Sequence, residues 1–269
     1  MNVATTVDRL KTSTPYLLTK RFYQDSSFFW RMLTDRTVYW ESRRHPKIFF
    51  LHIPKTGGTS MRLVLESAYD GRIAYYYHNE YTPVERRFQQ EKIRQNISSF
   101  DMVNGHFPFG LHRTLGICGQ HITFLREPIP RFISDYHHRH MSADLPKDWD
   151  FERYLKDCPY LDNQMVRLLS GYGGHLSDRM MQVAFREAKR NLQKHFSFVG
   201  FLETLQQDWQ RLRGFLGIEL DELAYANKSK VPSHLTIHFS ELPSNIQQQV
   251  IDLNYYDQAL YDFALEHFH

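Results

Sequence analysis

The sequence predicts an α/β fold, with a single domain built on a central parallel sheet flanked by helices. Three observations predict this class. Short apolar runs of strand length alternate with longer helical segments. A glycine-rich turn, Pro54–Ser60, joins the first apolar run to a helix, and Pro128 opens the helix after a later run. The 269 residues suit one large domain, with 42% hydrophobic residues to build its core.

The elements follow in chain order. Residues 1–46 are aromatic and compatible with helices, which predicts an N-terminal helical extension packed on the main domain, residues 47–269. Apolar runs predict the strands Ile48–Ile53, Asp101–Asn104, His121–Leu125 and Phe196–Phe201. Helical patterns predict the helices Ser60–Tyr69, Pro128–His140, Asp150–Asp157, Asp162–Leu169, Arg179–Leu192, Leu202–Leu216, Pro243–Asn254 and Tyr255–His267.

Composition narrows the class of protein. A formal net charge of +3 does not indicate a nucleic-acid binder with a broad basic face. The two cysteines, Cys118 and Cys158, are too few for a disulfide framework or a cysteine-rich zinc site. No apolar run has the length of a transmembrane segment, and no signal-peptide core is present. A bacterial cytoplasmic location is therefore expected, with the Golgi lumen as the alternative if an anchor has been removed.

The segment Pro54-Lys55-Thr56-Gly57-Gly58-Thr59-Ser60 predicts a phosphate-binding loop. A strand that runs through glycines into a helix presents backbone N–H groups and a positive dipole end to an anion. Lys55 adds a cation, and the glycines allow close backbone approach. Hydroxyl donors are supplied by Thr56, Thr59 and Ser60. Because Lys55 precedes both glycines, the motif differs from the Walker pattern and favours metal-free binding of a phosphorylated cofactor.

A second anion site is predicted at the end of the strand His121–Leu125. Arg126 follows this strand, Pro128 opens the next helix, and Ser134 lies on its second turn. Helical side chains lean toward the N-terminus, so the hydroxyl can point back toward Arg126. Since ligands bind at the carboxyl ends of parallel strands, both loops are expected to contact one ligand. An arginine fork with a hydroxyl suits a terminal phosphate, which predicts a ligand with phosphates at both ends.

In these two segments the chain resembles the PAPS-dependent sulfotransferases, particularly the carbohydrate type typified by heparan and dermatan/uronyl 2-O-sulfotransferases and their bacterial relatives. The resemblance implies a P-loop-like sulfotransferase fold for residues 47–269, with 3′-phosphoadenosine-5′-phosphosulfate (PAPS) as donor and adenosine 3′,5′-bisphosphate (PAP) as product. It implies that Lys55–Ser60 bind the 5′-phosphosulfate and that Arg126 and Ser134 bind the 3′-phosphate. Val199–Glu203 match more weakly, and Asn227, Lys228 and Ser229 resemble a late loop that closes over the nucleotide.

The implied reaction is in-line sulfuryl transfer to an acceptor hydroxyl. Lys55 would neutralise the charge that grows on the leaving oxygen, and a histidine is suited to accept the hydroxyl proton. The resemblance places a catalytic histidine after the strand Asp101–Asn104, which points to His106; His112 and Glu80 are the alternatives. The clustered His137, His138 and His140 lack further ligands, so no metal is expected.

The acceptor and the class of reaction leave alternatives open. The resemblance favours a carbohydrate acceptor, and the tyrosines that could stack on sugar rings are Tyr75, Tyr76, Tyr77 and Tyr81. A nucleotide-dependent phosphotransferase of the P-loop type would share the first loop but would require Mg²⁺. A non-catalytic module that keeps the nucleotide fold without turnover is the other alternative.

Overall fold

The computed structural model describes residues 45–269 apart from 79–81, 143, 147, 159–161, 175 and 219–235, together with Val38, Ser42 and Arg43. The side chain of Thr59 is also outside the description. The predicted N-terminal extension, residues 1–46, falls almost wholly outside the described residues, so it stays a prediction.

A five-stranded sheet forms the centre of the fold. Its strands are β1 (Lys47–Leu51), β2 (Ile73–Tyr75), β3 (Met102–Gly105), β4 (Gly119–Leu125) and β5 (Phe196–Phe201), in the order β2-β3-β1-β4-β5. β1 pairs in parallel with β3 and β4, and β2 pairs in parallel with β3. The predicted parallel sheet is thus confirmed. From β1 the strands β3 and β2 lie on one side, and β4 and β5 lie on the other. The strand order therefore switches between β1 and β4, and ligands of such sheets bind at this switch point.

Helices connect and follow these strands. They are α1 (Gly58–Ala68), α2 (Pro83–Gln95), α3 (Leu111–Leu115), α4 (Pro128–Met141), α5 (Phe151–Asp157), α6 (Gln164–Ser170), α7 (Asp178–His195), α8 (Leu205–Leu216), α9 (Ser244–Leu253) and α10 (Tyr255–Phe268). Every predicted helix within the main domain is present, with shifted ends. None of the described helices is both long and apolar enough to cross a membrane.

Sequence reasoning missed β2, α2 and α3. The strand β2 has three residues and α3 has five, which is too short for a periodic pattern to be visible. The helix α2 did carry a signal. The Thr82 side chain accepts a hydrogen bond from Glu85 N at 3.3 Å, and the Glu85 carboxylate accepts one from Thr82 N at 2.7 Å. This capping box, with Pro83 as the first helical residue, marks a helix start.

The chain divides into two compact units, each made of several segments. The first unit contains the described residues up to His52, with Tyr69–Thr123 and Arg167–Phe198. Its core includes Phe49, Met102 and Val103, all fully buried.

The second unit contains Ile53–Ala68, Phe124–Val166 and Val199–His269. Its core is an aromatic and aliphatic cluster that joins α4, α5 and α9, formed by Phe132, Ile133, Tyr136, Leu145, Phe151, Tyr154, Leu155, Ile246 and Val250. This core fixes the position of α4, the helix that the sequence places after the second anion loop.

Candidate active site

The loop between β1 and α1 is a sharp turn with two residues in the left-handed region. Lys55 has φ +69° and Gly57 has φ +87°. The left-handed conformation is costly for a residue with a side chain, so Lys55 holds local strain of the kind found at functional sites. Thr56 is fully buried, and its hydroxyl donates to the Ile53 carbonyl at 2.8 Å. The hydroxyl therefore closes the turn from inside.

Gly57 is required by its surroundings as well as by its φ. A Cβ at this position would lie 2.7 Å from Leu202 Cδ1 and 3.4 Å from Met61 Cε. The helix α1 begins at the next residue, Gly58, and includes Ser60 in its first turn. The first N–H groups of a helix have no intrahelical partner, and the dipole there favours an anion. The turn thus leads into a helix start, as the sequence predicts, and its anion-binding role stays a prediction.

Arg126 connects the second loop to the first. It follows β4, and its Nη1 donates to the Lys55 carbonyl oxygen at 3.0 Å. Burial lowers the pKa of Arg126, and the Glu203 carboxylate opposes this change. A guanidinium remains charged in proteins, so a permanent cation stands against the backbone of the lysine turn. The structure therefore brings the two predicted phosphate loops together.

The charge on Lys55 is set by groups on both sides. Burial lowers the pKa of Lys55, the Asp135 carboxylate raises it, and the Arg126 guanidinium lowers it. Asp135 is buried, and its Oδ2 accepts from Arg139 Nε at 2.7 Å and from the Tyr154 hydroxyl at 3.0 Å. Asp135 is thus a fixed anion that favours the charged form of Lys55. Sequence reasoning gave Asp135 no role, because only the tertiary fold brings α4 toward the loop.

Ser134 lies on α4, beside Asp135 and half-buried. Among the described residues its hydroxyl has no hydrogen-bond partner. The same helix is fixed by a buried ion pair, in which Arg131 Nη2 lies 3.7 Å from Asp257 Oδ2. The Asp257 carboxylate also accepts from Met165 N at 3.0 Å and Val166 N at 2.8 Å, so it caps α6 as well. The C-terminal helix α10 therefore helps to hold the helix that carries Ser134.

Glu203 holds the corner where α4 begins. Its carboxylate accepts from Glu127 N at 2.9 Å and from the Tyr261 hydroxyl at 2.8 Å. The backbone adds a bond from Leu202 N to the Leu125 carbonyl at 2.9 Å. These contacts fix both neighbours of Arg126 in the chain. Sequence reasoning matched Glu203 only weakly and assigned it no function.

His106 lies in the first unit, immediately after β3. Its Nδ1 is 2.7 Å from the His52 carbonyl oxygen, and its ring centroid is 4.6 Å from that of His52. A carbonyl only accepts hydrogen bonds, so we assign the proton to Nδ1. In the neutral imidazole, Nε2 is then the basic nitrogen. This tautomer is the one that a general base at Nε2 requires.

His112 lies in different surroundings. Its ring centroid is 4.4 Å from that of His121 and 5.4 Å from that of Phe109. Burial lowers the pKa of His112 well below its ordinary value, and His121 and Arg113 lower it further. A histidine with so low a pKa is a weak base near neutral pH. His112 is therefore less suited to proton abstraction than His106.

Several predicted residues lie outside the described part of the chain: Glu80, Asn227, Lys228 and Ser229. Of the clustered histidines on α4, His137 accepts a hydrogen bond at Nε2 from Ile237 N at 3.1 Å. It therefore fixes the segment before α9. Among the residues that the structure describes, no three His, Cys, Asp or Glu side chains are grouped to hold a metal ion.

A parallel sheet with a strand–turn–helix loop at the switch in its strand order is an α/β arrangement of the P-loop-like class. Within that class, residues 39–264 match the family described as the sulfotransferase family, and the chain belongs to this family. Membership confirms the resemblance seen in the two loops and the enzyme class that it implied.

Curated relatives are heparan-sulfate enzymes. The Danio rerio heparan-sulfate 6-O-sulfotransferase 1-A is 25% identical over 291 residues, which cover 86% of this chain and 67% of the relative. The Homo sapiens heparan-sulfate 6-O-sulfotransferase 2 is 24% identical over 295 residues, which cover 87% of this chain and 46% of the relative. The chain thus spans between about half and two thirds of their lengths. Both carry 6-O names, whereas the resemblance in the sequence named 2-O enzymes.

Solved structures are more distant. The mouse sulfotransferase SULT7A1 complexed with PAP is 14% identical and has a TM-score of 0.47, with coverage of 78% of this chain and 83% of the other. This similarity is too distant to support an inference about ligands or residues.

Proposed function

We propose that this protein transfers a sulfuryl group from PAPS to a carbohydrate hydroxyl. The observation that carries the proposal is the 3.0 Å hydrogen bond from Arg126 Nη1 to the Lys55 carbonyl, which joins the two predicted phosphate loops. A nucleotide with phosphates at both its 5′ and 3′ ends needs two cationic loops within its own length. The contact between the two loops of the second unit supports this proposal.

The residues fit such a donor. Gly57 leaves open a turn that a Cβ would crowd, and Lys55 and Arg126 provide two cations. We assign the 5′-phosphosulfate to the loop residues Lys55, Thr56, Gly57, Gly58, Thr59 and Ser60, with Thr56 acting from inside the turn. We assign the 3′-phosphate to Arg126 and Ser134. Asn227, Lys228 and Ser229 are proposed to cover the nucleotide, as the family resemblance implies.

Lys55 is proposed as the residue that stabilises the leaving group. PAPS supplies the sulfuryl group and leaves as PAP, so negative charge grows on the bridging oxygen. The Lys55 ammonium and the N–H groups at the start of α1 would stabilise this charge if they face that oxygen when the donor is bound. Asp135 supports this role because its carboxylate raises the pKa of Lys55 against the effect of burial. The reaction as proposed uses no metal.

His106 is proposed as the general base. The bond from Nδ1 to the His52 carbonyl fixes the ring and assigns the basic nitrogen to Nε2. In the chain, His52 is three residues before Lys55, so the base is bonded to the strand end that leads into the phosphate loop. His106 Nε2 would accept the proton of the attacking hydroxyl as the oxygen bonds to sulfur.

The acceptor is proposed to be a hydroxyl of a heparan-type glycan, on the strength of the relatives' names. A transfer assay with isotopically labelled PAPS and N-sulfated heparan oligosaccharides tests this function. We expect labelled glycan from the wild type and none from Lys55→Ala. Binding of ATP with Mg²⁺ in preference to PAP would favour a phosphotransferase instead. Tight binding of PAP without transfer to any hydroxyl would favour a non-catalytic module.

A further inference from the structure

The chain just after β2 runs along β3 in a fixed register. Tyr76 N donates to the Asn104 carbonyl, and His78 N donates to the His106 carbonyl, both at 2.9 Å. Gly105 lies between these bonds with φ +153°, and a Cβ there would be 2.0 Å from the backbone carbonyl oxygen of Tyr76. The close approach therefore depends on this glycine, and it places Tyr77 beside the end of β3.

Side chains alternate along this extended segment. Tyr76 is fully buried, and its hydroxyl accepts from Gln90 Nε2 at 2.9 Å. Because neighbouring residues of an extended chain point to opposite faces, Tyr75 and Tyr77 share the other face. Their rings are parallel within 1°, with centroids 6.2 Å apart, and both are half-buried. We call Tyr75 and Tyr77 the aromatic ledge.

The aromatic ledge ends at the proposed base. The Tyr77 ring centroid is 5.3 Å from that of His106, and the two rings meet edge to face at 66°. His106 is itself held by its bond to the His52 carbonyl. A ligand that stacks on Tyr77 therefore lies within reach of the imidazole, with both the aromatic surface and the base fixed by backbone hydrogen bonds.

We propose that the aromatic ledge is the acceptor subsite and that Tyr77 binds a pyranose ring by stacking. The C–H face of a pyranose is apolar, so it packs on a tyrosine ring while its hydroxyls stay at the rim. The heparan-sulfate names of the curated relatives favour an oligosaccharide as the occupant. The proposal rests on the proposed function for the identity of the reaction, and it adds the surface that positions the acceptor.

The test compares Tyr77→Leu with Tyr77→Phe. Leucine removes the aromatic face, whereas phenylalanine keeps it. We expect Tyr77→Leu to raise KM for N-sulfated heparan oligosaccharides by about tenfold, with the affinity for PAP unchanged. Tyr77→Phe should have a KM for the oligosaccharides close to that of the wild type. Tyr255→Leu, a change at an exposed tyrosine of α10, is the matched control and should leave KM unchanged.

Calorimetric titration of the same oligosaccharides into PAP-loaded protein separates this inference from the proposed function. Binding that Tyr77→Leu weakens supports the aromatic ledge even if no transfer occurs. Equal glycan affinity in Tyr77→Leu and the wild type, with PAP binding intact, overturns the ledge and leaves sulfuryl transfer standing. Transfer to p-nitrophenol but to no glycan would also overturn it. A wild type that binds glycan but not PAP would instead refute the proposed donor.

Discussion

Replacing Arg126 by alanine should affect two different contacts. The guanidinium donates to the Lys55 carbonyl, and among the described residues this is its one hydrogen bond. An arginine has five N–H donors, so the others remain for a ligand. If they meet the 3′-phosphate, the substitution weakens every ligand of the loop slightly and ligands with a 3′-phosphate strongly.

The two effects differ in size. A hydrogen bond from a charged group contributes about 1.5–3 kcal/mol, so the loss of the Lys55 contact should weaken any 5′-phosphorylated adenosine by about tenfold. A forked contact with the 3′-phosphate contains two such bonds. Its loss should cost a further ~3 kcal/mol, or about a hundredfold, and only when that phosphate is present. The expected loss is therefore about tenfold for AMP and about a thousandfold for PAP.

Isothermal titration of PAP and AMP into wild type and Arg126→Ala measures both losses. Arg190→Ala is the control for net charge, because Arg190 is exposed on α7 and its one contact among the described residues is a 3.5 Å hydrogen bond to Glu187. Equal losses for PAP and AMP would show that Arg126 acts through the lysine turn alone. No loss for either ligand would remove Arg126 from the site.

Other predictions concern the base, the lysine and the buried His121. His106→Ala should lower kcat by about 10²–10⁴ with little change in PAP affinity; unchanged kcat in rate measurements would exclude His106 as the base. The pKa of Lys55 is lowered from 10.5, so its ammonium loses the proton at a lower pH than an ordinary lysine does. As pH rises, PAP affinity should therefore begin to fall before pH 10.5 is reached. Titrations of PAP at several pH values should show this loss in the wild type and not in Lys55→Arg. Burial lowers the pKa of His121 to about 3 from 6.5, so its stabilising contribution is present above pH 6.5 and is lost as pH falls toward 3. His121→Phe should reduce the slope of the unfolding free energy against pH in that range by about 1.4 kcal/mol per pH unit. Urea denaturation at several pH values measures this slope, and a slope equal to that of the wild type would contradict the assignment.

Much of the fold could be predicted because its elements carry local signals. The strand Phe196–Phe201 is observed with its predicted ends, since an apolar run is bounded there by a polar helix. The helix α1 begins at Gly58, two residues before the predicted start, because a helix tolerates glycine in its first turn. The helix α2 was missed although Thr82 and Glu85 form a capping box, because apart from Pro83 only Val84, Phe88 and Ile93 of its 13 residues are apolar.

The candidate site was predictable where chemistry and strand ends coincide. Arg126 directly follows β4, and Lys55 lies four residues after the end of β1, the neighbouring parallel strand, so their proximity follows from topology. Glu203 was not predictable, because the Glu127 N–H that it accepts from is 76 residues away in the chain. Thr56 shows the opposite case. Its hydroxyl was expected to donate to a ligand, but it donates to the Ile53 carbonyl, three residues earlier in the chain. A nearby backbone carbonyl competes with a ligand for this hydroxyl, and composition does not reveal which of them it bonds.

The joined loops explain how the lysine turn keeps a strained conformation. A residue with a side chain pays about 1–2 kcal/mol to adopt the left-handed region, and Lys55 has φ +69°. The bond that Arg126 donates to the Lys55 carbonyl contributes about 1.5–3 kcal/mol, which offsets that cost. The guanidinium therefore holds the first loop in its strained shape, and in the proposed donor site it would also supply charge to the second loop. Because one side chain serves both loops, the shape of the first loop depends on a residue of the second, before any ligand binds.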